Sequence, residues 1–330
     1  MAILSETLRL LGATGKETKQ QQYYYGLVEK NVLVTGADGQ LGSDLKELTG
    51  RINLPFRFFY TDADVLDITN RDQIDDFVRI NNIRYIINCA AYTAVDKAES
   101  NRDKAYMVNV TGVENVAAAA KKYNARVIHI STDFVFDGES AVPYKEDDEV
   151  RPLNVYGETK LKGEEALEVI AGNRIIIRTS WLYSVYGRNF VKSILTLISG
   201  RVSLKVVSDE KGSPTYAADL AEMLVHILQY SENEEWKPGI YHFANRGDVS
   251  RYDFAKAIQN ETGVLGCEIK PTTSKMYGAP AKRPSYSTLD TSKISGTFRI
   301  IIPHWQESLR HCINKLKNVK LTDKAQNKYI

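Results

Sequence analysis

From Lys30 onward, short apolar runs alternate with amphipathic segments of helical period, and this alternation constrains the fold more than any other feature. A buried strand followed by a helix, repeated several times, is typical of a parallel sheet covered on both faces. The expected strands are Asn31–Thr35, Phe56–Thr61, Arg84–Ala90, Arg126–Ser131 and Arg174–Thr179. The expected helices are Leu41–Thr49, Arg71–Asn81, Val95–Tyr123 and Val155–Ala171, the third with a break near Asn101 or Asn109. The sequence therefore predicts an α/β fold with a doubly wound, Rossmann-type parallel sheet.

The pattern becomes irregular after Thr179. We expect helices over Phe190–Ser199, Tyr216–Tyr230, Ser250–Thr262 and Ile302–Leu316, strands over Leu204–Val207 and Ile240–Phe243, and a loop-rich stretch over Cys267–Thr288. Residues 30–182 are therefore expected to form the doubly wound domain, with later returns to it near 212–245. Residues 183–330 are expected to form a smaller region laid over the ends of the sheet. Residues 1–29 do not follow the pattern and are interpreted as an N-terminal extension.

The composition excludes several classes of protein. A net charge of +2 gives no footprint for binding nucleic acid or an anionic membrane. No apolar run approaches the roughly 20 residues of a membrane helix. Polar residues interrupt the first residues too often for a signal peptide. The three cysteines are far apart and have no metal or redox spacing, so a reduced, cytoplasmic location is expected.

A glycine-rich turn follows the first expected strand, with the sequence Gly36-Ala37-Asp38-Gly39-Gln40-Leu41-Gly42. Glycines here permit a tight turn and a close approach of the backbone to a pyrophosphate. The following helix presents free N–H groups and the positive end of its dipole to the phosphates. The turn therefore predicts a dinucleotide site at Gly36, Asp38, Gly39, Gln40, Leu41 and Gly42. A purely structural turn is the alternative.

Two further strand ends extend this predicted site. Asp62 follows the second strand at the distance expected of an acid that binds the adenosine ribose, and an acid there favours NADH over NADPH. A solvated acidic loop is the alternative. Asp67 and Ile68 would lie near the adenine. After the third strand, small residues would let a flat cofactor lie across Ala90, Ala91, Tyr92 and Thr93, although they are equally typical of helix-to-sheet packing.

Tyr156-Gly157-Glu158-Thr159-Lys160 is the most informative pentapeptide in the chain. Pro152 and Asn154 favour a helix start just before it, and residues four apart share a helix face. An ammonium beside a phenol brings the pKa of that phenol down towards neutral pH, which suits a proton donor. The hydroxyl of Thr132, or of Ser131, at the end of the fourth strand would hold a substrate carbonyl beside Tyr156. A surface helix pair and a strand-capping turn residue are the alternatives.

These segments resemble the dTDP-4-dehydrorhamnose reductase family, within the extended short-chain dehydrogenase/reductases. The resemblance covers the chain from Lys30 onward and is most specific in PLNVYGETKLK, which begins at Pro152, and RTSWLY, which begins at Arg178. The other matching segments are Val34–Gly42, Asn88–Ser100, Ile130–Gly138, Gly212–Thr215 and Ala281–Leu289. One departure is Phe134, because the family often has tyrosine there. The first 29 residues match nothing in the family.

The resemblance implies roles for individual residues. Tyr156 would protonate the C4 ketone oxygen of a dTDP-sugar as hydride arrives from NADPH or NADH. Lys160 would bind the nicotinamide ribose and lower the pKa of the phenol. Thr132, Asp133 and Trp181 would contact the sugar, although Trp181 could also be a core aromatic. Ala91, Tyr92 and Thr93 would line the cofactor. Arg283 could meet the diphosphate or form a surface salt bridge.

The resemblance also raises a metal and an oligomeric state. Some members bind Mg²⁺ at a dimer interface, where Asp44 would be a ligand, with a contribution from Asp209 or Glu210. Carboxylates suit Mg²⁺, but these residues are also ordinary exposed acids. The sequence therefore favours the absence of a metal site over the presence of one. A homodimer is compatible with the resemblance, and the region 183–330 would bind the substrate.

Three functions remain open at this point. The leading one is NAD(P)H-dependent reduction of dTDP-4-dehydro-β-L-rhamnose to dTDP-β-L-rhamnose. The second is another sugar-nucleotide reductase or epimerase of the same superfamily, because the Tyr–Lys pair serves all of these. The third is a non-catalytic, cofactor-binding regulatory subunit resembling that of methionine adenosyltransferase, since a shared fold does not establish catalysis.

Overall fold

The computed structural model describes residues 30–326, with side chains through Asn318. The predicted N-terminal extension, residues 1–29, lies outside the described residues. Within the described part, no helix is both long enough and apolar enough to span a membrane.

The strands run as expected through the first half of the chain. Their bounds are β1 Lys30–Thr35, β2 Phe56–Thr61, β3 Ile83–Asn88, β4 Arg126–Thr132, β5 Arg174–Thr179, β6 Leu182–Tyr183, β7 Ser203–Val207, β8 Lys211–Gly212, β9 Thr215–Tyr216, β10 Gly239–His242, β11 Val249–Ser250 and β12 Glu268–Thr272. Six of them form one sheet in the order β10-β5-β4-β3-β1-β2. Every neighbouring pair in this sheet is parallel.

The helices connect these strands. Their bounds are α1 Gln40–Thr49, α2 Arg71–Ile80, α3 Val95–Ala98, α4 Arg102–Tyr106, α5 Gly112–Lys122, α6 Val155–Ile170, α7 Phe190–Gly200, α8 Ala217–Asn233, α9 Arg251–Thr262, α10 Ser274–Tyr277, α11 Ser292–Phe298 and α12 Trp305–Gln326. The long segment expected over Val95–Tyr123 breaks at Asn101 and also carries a π-helical turn over Met107–Thr111, which contains Asn109. Both suspected positions are therefore irregular.

Alternate residues of the strands feed two separate cores, which confirms the doubly wound fold. On one face, Val32, Ile87 and Ile177 pack with α8. On the other, Leu33, Ile86 and Ile176 pack with residues of α2, α5 and α6. This follows from the two-residue period of a strand, because a central parallel sheet must bury both faces.

The order of the strands reverses between β1 and β3, since the chain first adds β2 on one side of β1 and then β3 on the other. In open parallel sheets, ligands bind in the crevice outside the carboxyl ends of the strands at such a point. The glycine turn, the end of β3 and the end of β4 therefore border one crevice.

The C-terminal part has a core of its own, built from residues of β7, β12, α7, α9 and α12. The segment Cys267–Thr288 is more ordered than expected. It contains β12, which pairs in parallel with β7, and the short helix α10. The alternation in Glu268–Thr272 is too short to distinguish from loop without knowledge of its partner strand.

Candidate active site

The glycine turn is shaped by close backbone contacts. Gly36 has φ +66°, a left-handed conformation, and a Cβ on it would lie 2.7 Å from the backbone nitrogen of Ala90. Only glycine satisfies both conditions. Helix α1 begins at Gln40, and no side chain caps its N-terminus. The end of this helix is therefore available to an anion, as the fit of a pyrophosphate requires.

Asp62 is attached to the glycine turn. Its Oδ2 accepts a hydrogen bond from the backbone N–H of Asp38 at 2.9 Å, and its Oδ1 accepts one from the N–H of Ala63 at 2.8 Å. The carboxylate lies at the end of β2, beside the turn, where a ribose-binding acid is expected. It also holds the turn in place, so substitution of Asp62 would alter both the ribose contact and the conformation of the turn.

The neighbouring residues expected to line the cofactor are engaged in contacts within the protein. Asp67 accepts hydrogen bonds from the N–H and the hydroxyl of Thr69 at 2.9 and 2.8 Å. The side chain of Ile68 is buried against Gly112 of α5. Tyr92 is held at both backbone atoms by Asn109, which accepts from its N–H at 2.8 Å and donates to its carbonyl at 3.2 Å. The π-helical turn thus fixes the segment Ala90–Thr93, a role for Asn109 that sequence reasoning missed.

Helix α6 begins where the sequence indicated. The Asn154 side chain accepts a hydrogen bond from Gly157 N–H at 2.8 Å and caps the helix. The Thr132 hydroxyl lies close enough to the phenol of Tyr156 to lower its pKa, and the Tyr156 ring packs edge-on against Phe134 with centroids 5.7 Å apart. The phenol and the hydroxyl expected to act together are therefore in contact.

Of the two candidate hydroxyls, only Thr132 meets Tyr156. Ser131 donates a short hydrogen bond to Glu164. That carboxylate also forms an ion pair with Arg178 at 2.7 Å, and both side chains are almost completely buried. Ser131 is therefore engaged by Glu164, which leaves Thr132 as the hydroxyl beside Tyr156.

Burial raises the pKa of Tyr156 to about 12; the Thr132 hydrogen bond lowers it and the carboxylate of Asp133 raises it. Desolvation of the phenolate outweighs the effects that lower this pKa, and Lys160 is not among the groups that act on it in the structure. The expected effect of Lys160 on the phenol therefore stays a prediction.

Lys160 is buried beneath the helix with 1% of its surface exposed. Its Nζ donates to the carbonyl of Ile130 at 2.6 Å and lies 3.3 Å from His129 Nε2. Burial lowers the pKa of Lys160 to about 8, although the carboxylate of Glu164 and the thiol of Cys89 raise it. The charge of this residue therefore changes close to neutral pH.

A second cluster lies beside Thr132 and joins residues distant in the chain. The carboxyl of Asp133 accepts from Thr132 Oγ1 at 3.1 Å, and the Ser287 side chain lies close enough to lower its pKa. Burial raises the pKa of Asp133 to about 6, against the effect of these two side chains and of the Arg251 cation. Sequence reasoning missed both Arg251 and Ser287: Arg251 belongs to no local motif, and Ser287 lies in the matching segment Ala281–Leu289 but was not singled out there.

Trp181 lies in the same cluster and adopts a positive φ of +45°. The guanidinium of Arg251 covers its ring, and a Cβ on Gly212 would lie 2.7 Å from Trp181 Cε2 and 2.8 Å from Ser287 Oγ. The guanidinium and the Gly212 backbone both contact the indole. Trp181 is partly buried and packs against the hydrophobic core of the C-terminal region, so the core-aromatic alternative is compatible with its position.

Arg283 forms a bidentate ion pair with Asp96. Its NH1 and NH2 each lie 3.0 Å from one carboxylate oxygen, and NH1 also donates to the carbonyl of Ala281. This arrangement corresponds to the salt-bridge interpretation of Arg283. The guanidinium fork that a diphosphate would use is occupied by a carboxylate.

The acids considered for Mg²⁺ do not fit a metal site. Asp44 is buried, accepts from the Ser184 hydroxyl at 2.6 Å and lies 3.7 Å from the Lys315 ammonium. Asp209 accepts two hydrogen bonds from Ser274, and Glu210 faces Arg251. Among the described residues, no group of three or more acidic, histidine or cysteine side chains is arranged to hold an ion.

A doubly wound parallel sheet with a glycine turn at its switch point, and a Tyr–Lys pair beside a hydroxyl at the end of β4, defines a short-chain dehydrogenase/reductase. A model of the RmlD substrate binding domain family matches residues 30–318. The chain belongs to the dTDP-4-dehydrorhamnose reductase family.

Individual relatives support this assignment. A dTDP-4-dehydrorhamnose reductase of Aggregatibacter actinomycetemcomitans is 42% identical over 289 residues, which cover 85% of this chain and 97% of that protein. The Escherichia coli K12 protein of that name is 38% identical over 294 residues, or 87% of this chain and 98% of its own length.

Solved structures are similar to this chain as well. The crystal structure of dTDP-4-dehydrorhamnose reductase from Bacillus anthracis in complex with NADP has a TM-score of 0.82 at 37% identity, covering 87% of this chain and all of that one. A Thermus thermophilus UDP-glucose 4-epimerase is 18% identical with a TM-score of 0.71, a likeness of fold alone.

Proposed function

We propose that this chain uses NAD(P)H to reduce the C4 ketone of dTDP-4-dehydro-β-L-rhamnose, which yields dTDP-β-L-rhamnose. The single observation that carries the proposal is the placement of the Tyr156 phenol beside the Thr132 hydroxyl, where β4 ends. A carbonyl oxygen placed between these two hydroxyls would accept from both. The names and the coverage of the relatives support the choice of substrate.

The cofactor would lie across the carboxyl ends of β1, β2 and β3. Gly36, Gly39 and the start of α1 would bind the pyrophosphate, and Asp62 the adenosine ribose. Asp67, Ile68 and Ala90–Thr93 would border the adenine and nicotinamide parts. The bound nicotinamide supplies the hydride that the ketone carbon receives. The side chains of the protein bind, orient and supply a proton.

Tyr156 would supply that proton to the ketone oxygen. A phenol with a pKa of about 12 retains its proton at neutral pH, so the acid is present in the form that the reduction needs. Thr132 would hold the ketone oxygen and orient it towards the phenol. Lys160 would bind the nicotinamide ribose, and its charge would stabilise the phenolate that remains after proton transfer.

The sugar would lie against the region 183–330. Asp133 and Trp181 would contact it, with Arg251 and Ser287 supporting their positions. Because Asp96 engages Arg283 in the structure, a contact between Arg283 and the diphosphate requires that this ion pair opens or is shared.

The direct test is oxidation of NADPH and of NADH with enzymatically prepared dTDP-4-dehydrorhamnose, followed by NMR of the sugar product. We expect stoichiometric oxidation and a C4 alcohol of the rhamno configuration. Isomerised sugar without net cofactor consumption would indicate an epimerase. No turnover with either cofactor, from protein that binds the cofactor, would support the regulatory-subunit alternative and contradict the proposal.

A further inference from the structure

A row of buried polar side chains crosses the sheet beneath Lys160. Thr35 of β1 is paired in register with Asn88 of β3, and Asn88 is paired with His129 of β4. Residues paired across parallel strands point to the same face, so the three side chains are neighbours. Each has at most 1% of its surface exposed, as has Lys160.

Hydrogen bonds join the row end to end. Thr35 Oγ1 lies 2.7 Å from Asn88 Oδ1, and Asn88 Nδ2 lies 3.0 Å from His129 Nδ1. His129 Nε2 then lies 3.3 Å from Lys160 Nζ. Apolar residues fill most interior positions of such a sheet. Burying four polar groups there has a large desolvation cost, which the hydrogen bonds offset, and a row of this kind therefore points to a function.

We propose that Asn88 and His129 are positioning residues, which hold the Lys160 amino group through this chain and determine which charge state it takes. Only the expected effect on turnover rests on the proposed function. Neither residue is expected to touch the substrate, and both act through Lys160.

The hydrogen bonds of this row can run in either of two directions while the heavy atoms keep the same positions. With Thr35 donating to the Asn88 carbonyl oxygen, the amide N–H donates to His129 Nδ1, and neutral His129 carries its proton on Nε2, facing an uncharged Lys160 amine. Turning the Asn88 amide over reverses every bond. His129 Nε2 then accepts from the Lys160 ammonium, and Nδ1–H donates to Asn88.

Burial and the Lys160 charge hold the pKa of His129 well below its usual value, so the ring remains neutral in both directions. In the ammonium direction, one N–H of Lys160 goes to Ile130 and one to His129, which leaves the third for the cofactor ribose. The other ionisable groups that act on Lys160 are Glu164 on its own helix and Cys89 after β3.

The kinetic test follows the alkaline limb of the pH profile of kcat/KM, which we expect near pH 8 where Lys160 loses its proton. His129→Leu removes the acceptor for the ammonium and should move this limb to lower pH by about one unit, with activity recovered in more acidic buffer. Asn88→Asp adds a charge that favours the ammonium and should move the limb to higher pH. His129→Gln, which keeps a polar partner, should leave it in place.

Opposite shifts distinguish this role from a structural one, which would lower turnover at all pH values alike. The matched control is His226→Leu, which removes another buried histidine that contacts the carbonyl of Phe298 at 2.8 Å. It should leave the limb unchanged. Shifts of Asn88→Asp and His129→Leu in the same direction, or no shift in either, would overturn the proposal.

A second measurement needs no turnover. Ring ¹⁵N NMR of the cofactor-free protein can follow His129, assigned among the five histidines with His129→Gln. We expect a change from the Nδ1–H to the Nε2–H tautomer near pH 8, with no imidazolium down to pH 5. A single tautomer throughout, or ordinary titration near ~6.5, would refute the chain. Failure to reduce the sugar would contradict only the proposed function.

Discussion

The guanidinium carbon of Arg251 lies 3.5 Å from the centroid of the Trp181 ring, although Arg251 begins helix α9 and Trp181 follows β5. This contact fixes an indole whose backbone has a positive φ and which also lies against Gly212. A cation over a tryptophan ring contributes about 0.5–2 kcal/mol. The pair therefore connects the C-terminal region to the candidate active site.

Arg251→Ala is expected to raise the KM for the sugar nucleotide by about 10-fold and to change kcat by less than about 3-fold, because Trp181 loses its support while Tyr156 is undisturbed. Arg251→Lys should retain part of the effect. Lys256→Ala, which removes a cation over Tyr252 on the same helix, is the matched control. A fall in kcat at unchanged KM would contradict this role. Steady-state kinetics decide the matter.

Tyr156→Phe is expected to lower kcat by at least ~100-fold, the usual scale of general acid catalysis. Cofactor affinity, measured by fluorescence titration, should change little because the ring remains in place. Tyr106→Phe, on the exposed surface of α4, is the control. Near-normal turnover by Tyr156→Phe would mean that another group supplies the proton.

Asp62→Ala is expected to weaken the binding of NADH more than that of NADPH. The carboxylate is placed to accept a hydrogen bond from a free 2′-hydroxyl, and it repels a 2′-phosphate. Both affinities should also fall somewhat, since the hydrogen bond from Asp38 N–H is lost. Asp64→Ala, at an exposed position in the same loop, should alter neither. Equal weakening of the two cofactors would remove the ribose assignment and leave only the support of the turn.

Asp44→Asn tests the buried carboxyl that was considered for a metal. Burial raises the pKa of Asp44 from 3.8 to about 6, so the native state holds this proton more tightly than the unfolded chain. The stability contributed by the protonated group is present below about pH 4 and lost as the pH rises through 6.

The free energy of unfolding of Asp44→Asn, relative to the parent protein, should therefore increase by about 2 kcal/mol between pH 4 and pH 7. Urea denaturation at several pH values measures this difference. A relative stability independent of pH would indicate that the Lys315 ammonium fully compensates the burial of Asp44.

The order of strands and helices could be predicted because each element carries its own local pattern. The turn Gly36–Gly42 and the capped start of α6 at Asn154 are local as well, and the structure has both where the sequence placed them. The spacing of Tyr156 and Lys160 likewise indicated a shared helix face. These are short-range consequences of backbone geometry, and they do not depend on the rest of the chain.

Only the tertiary structure decided which distant residues meet. It turned Ser131 away to Glu164 and left Thr132 beside Tyr156, paired Arg283 with Asp96, and brought Arg251 over Trp181. It also placed the Tyr156 phenol where burial raises its pKa, because desolvation depends on everything that surrounds a group rather than on its sequence neighbours. The sequence by itself determined the elements and the chemistry available on each of them. Contacts, burial and charge state arise from packing between elements, and those became known only from the folded chain.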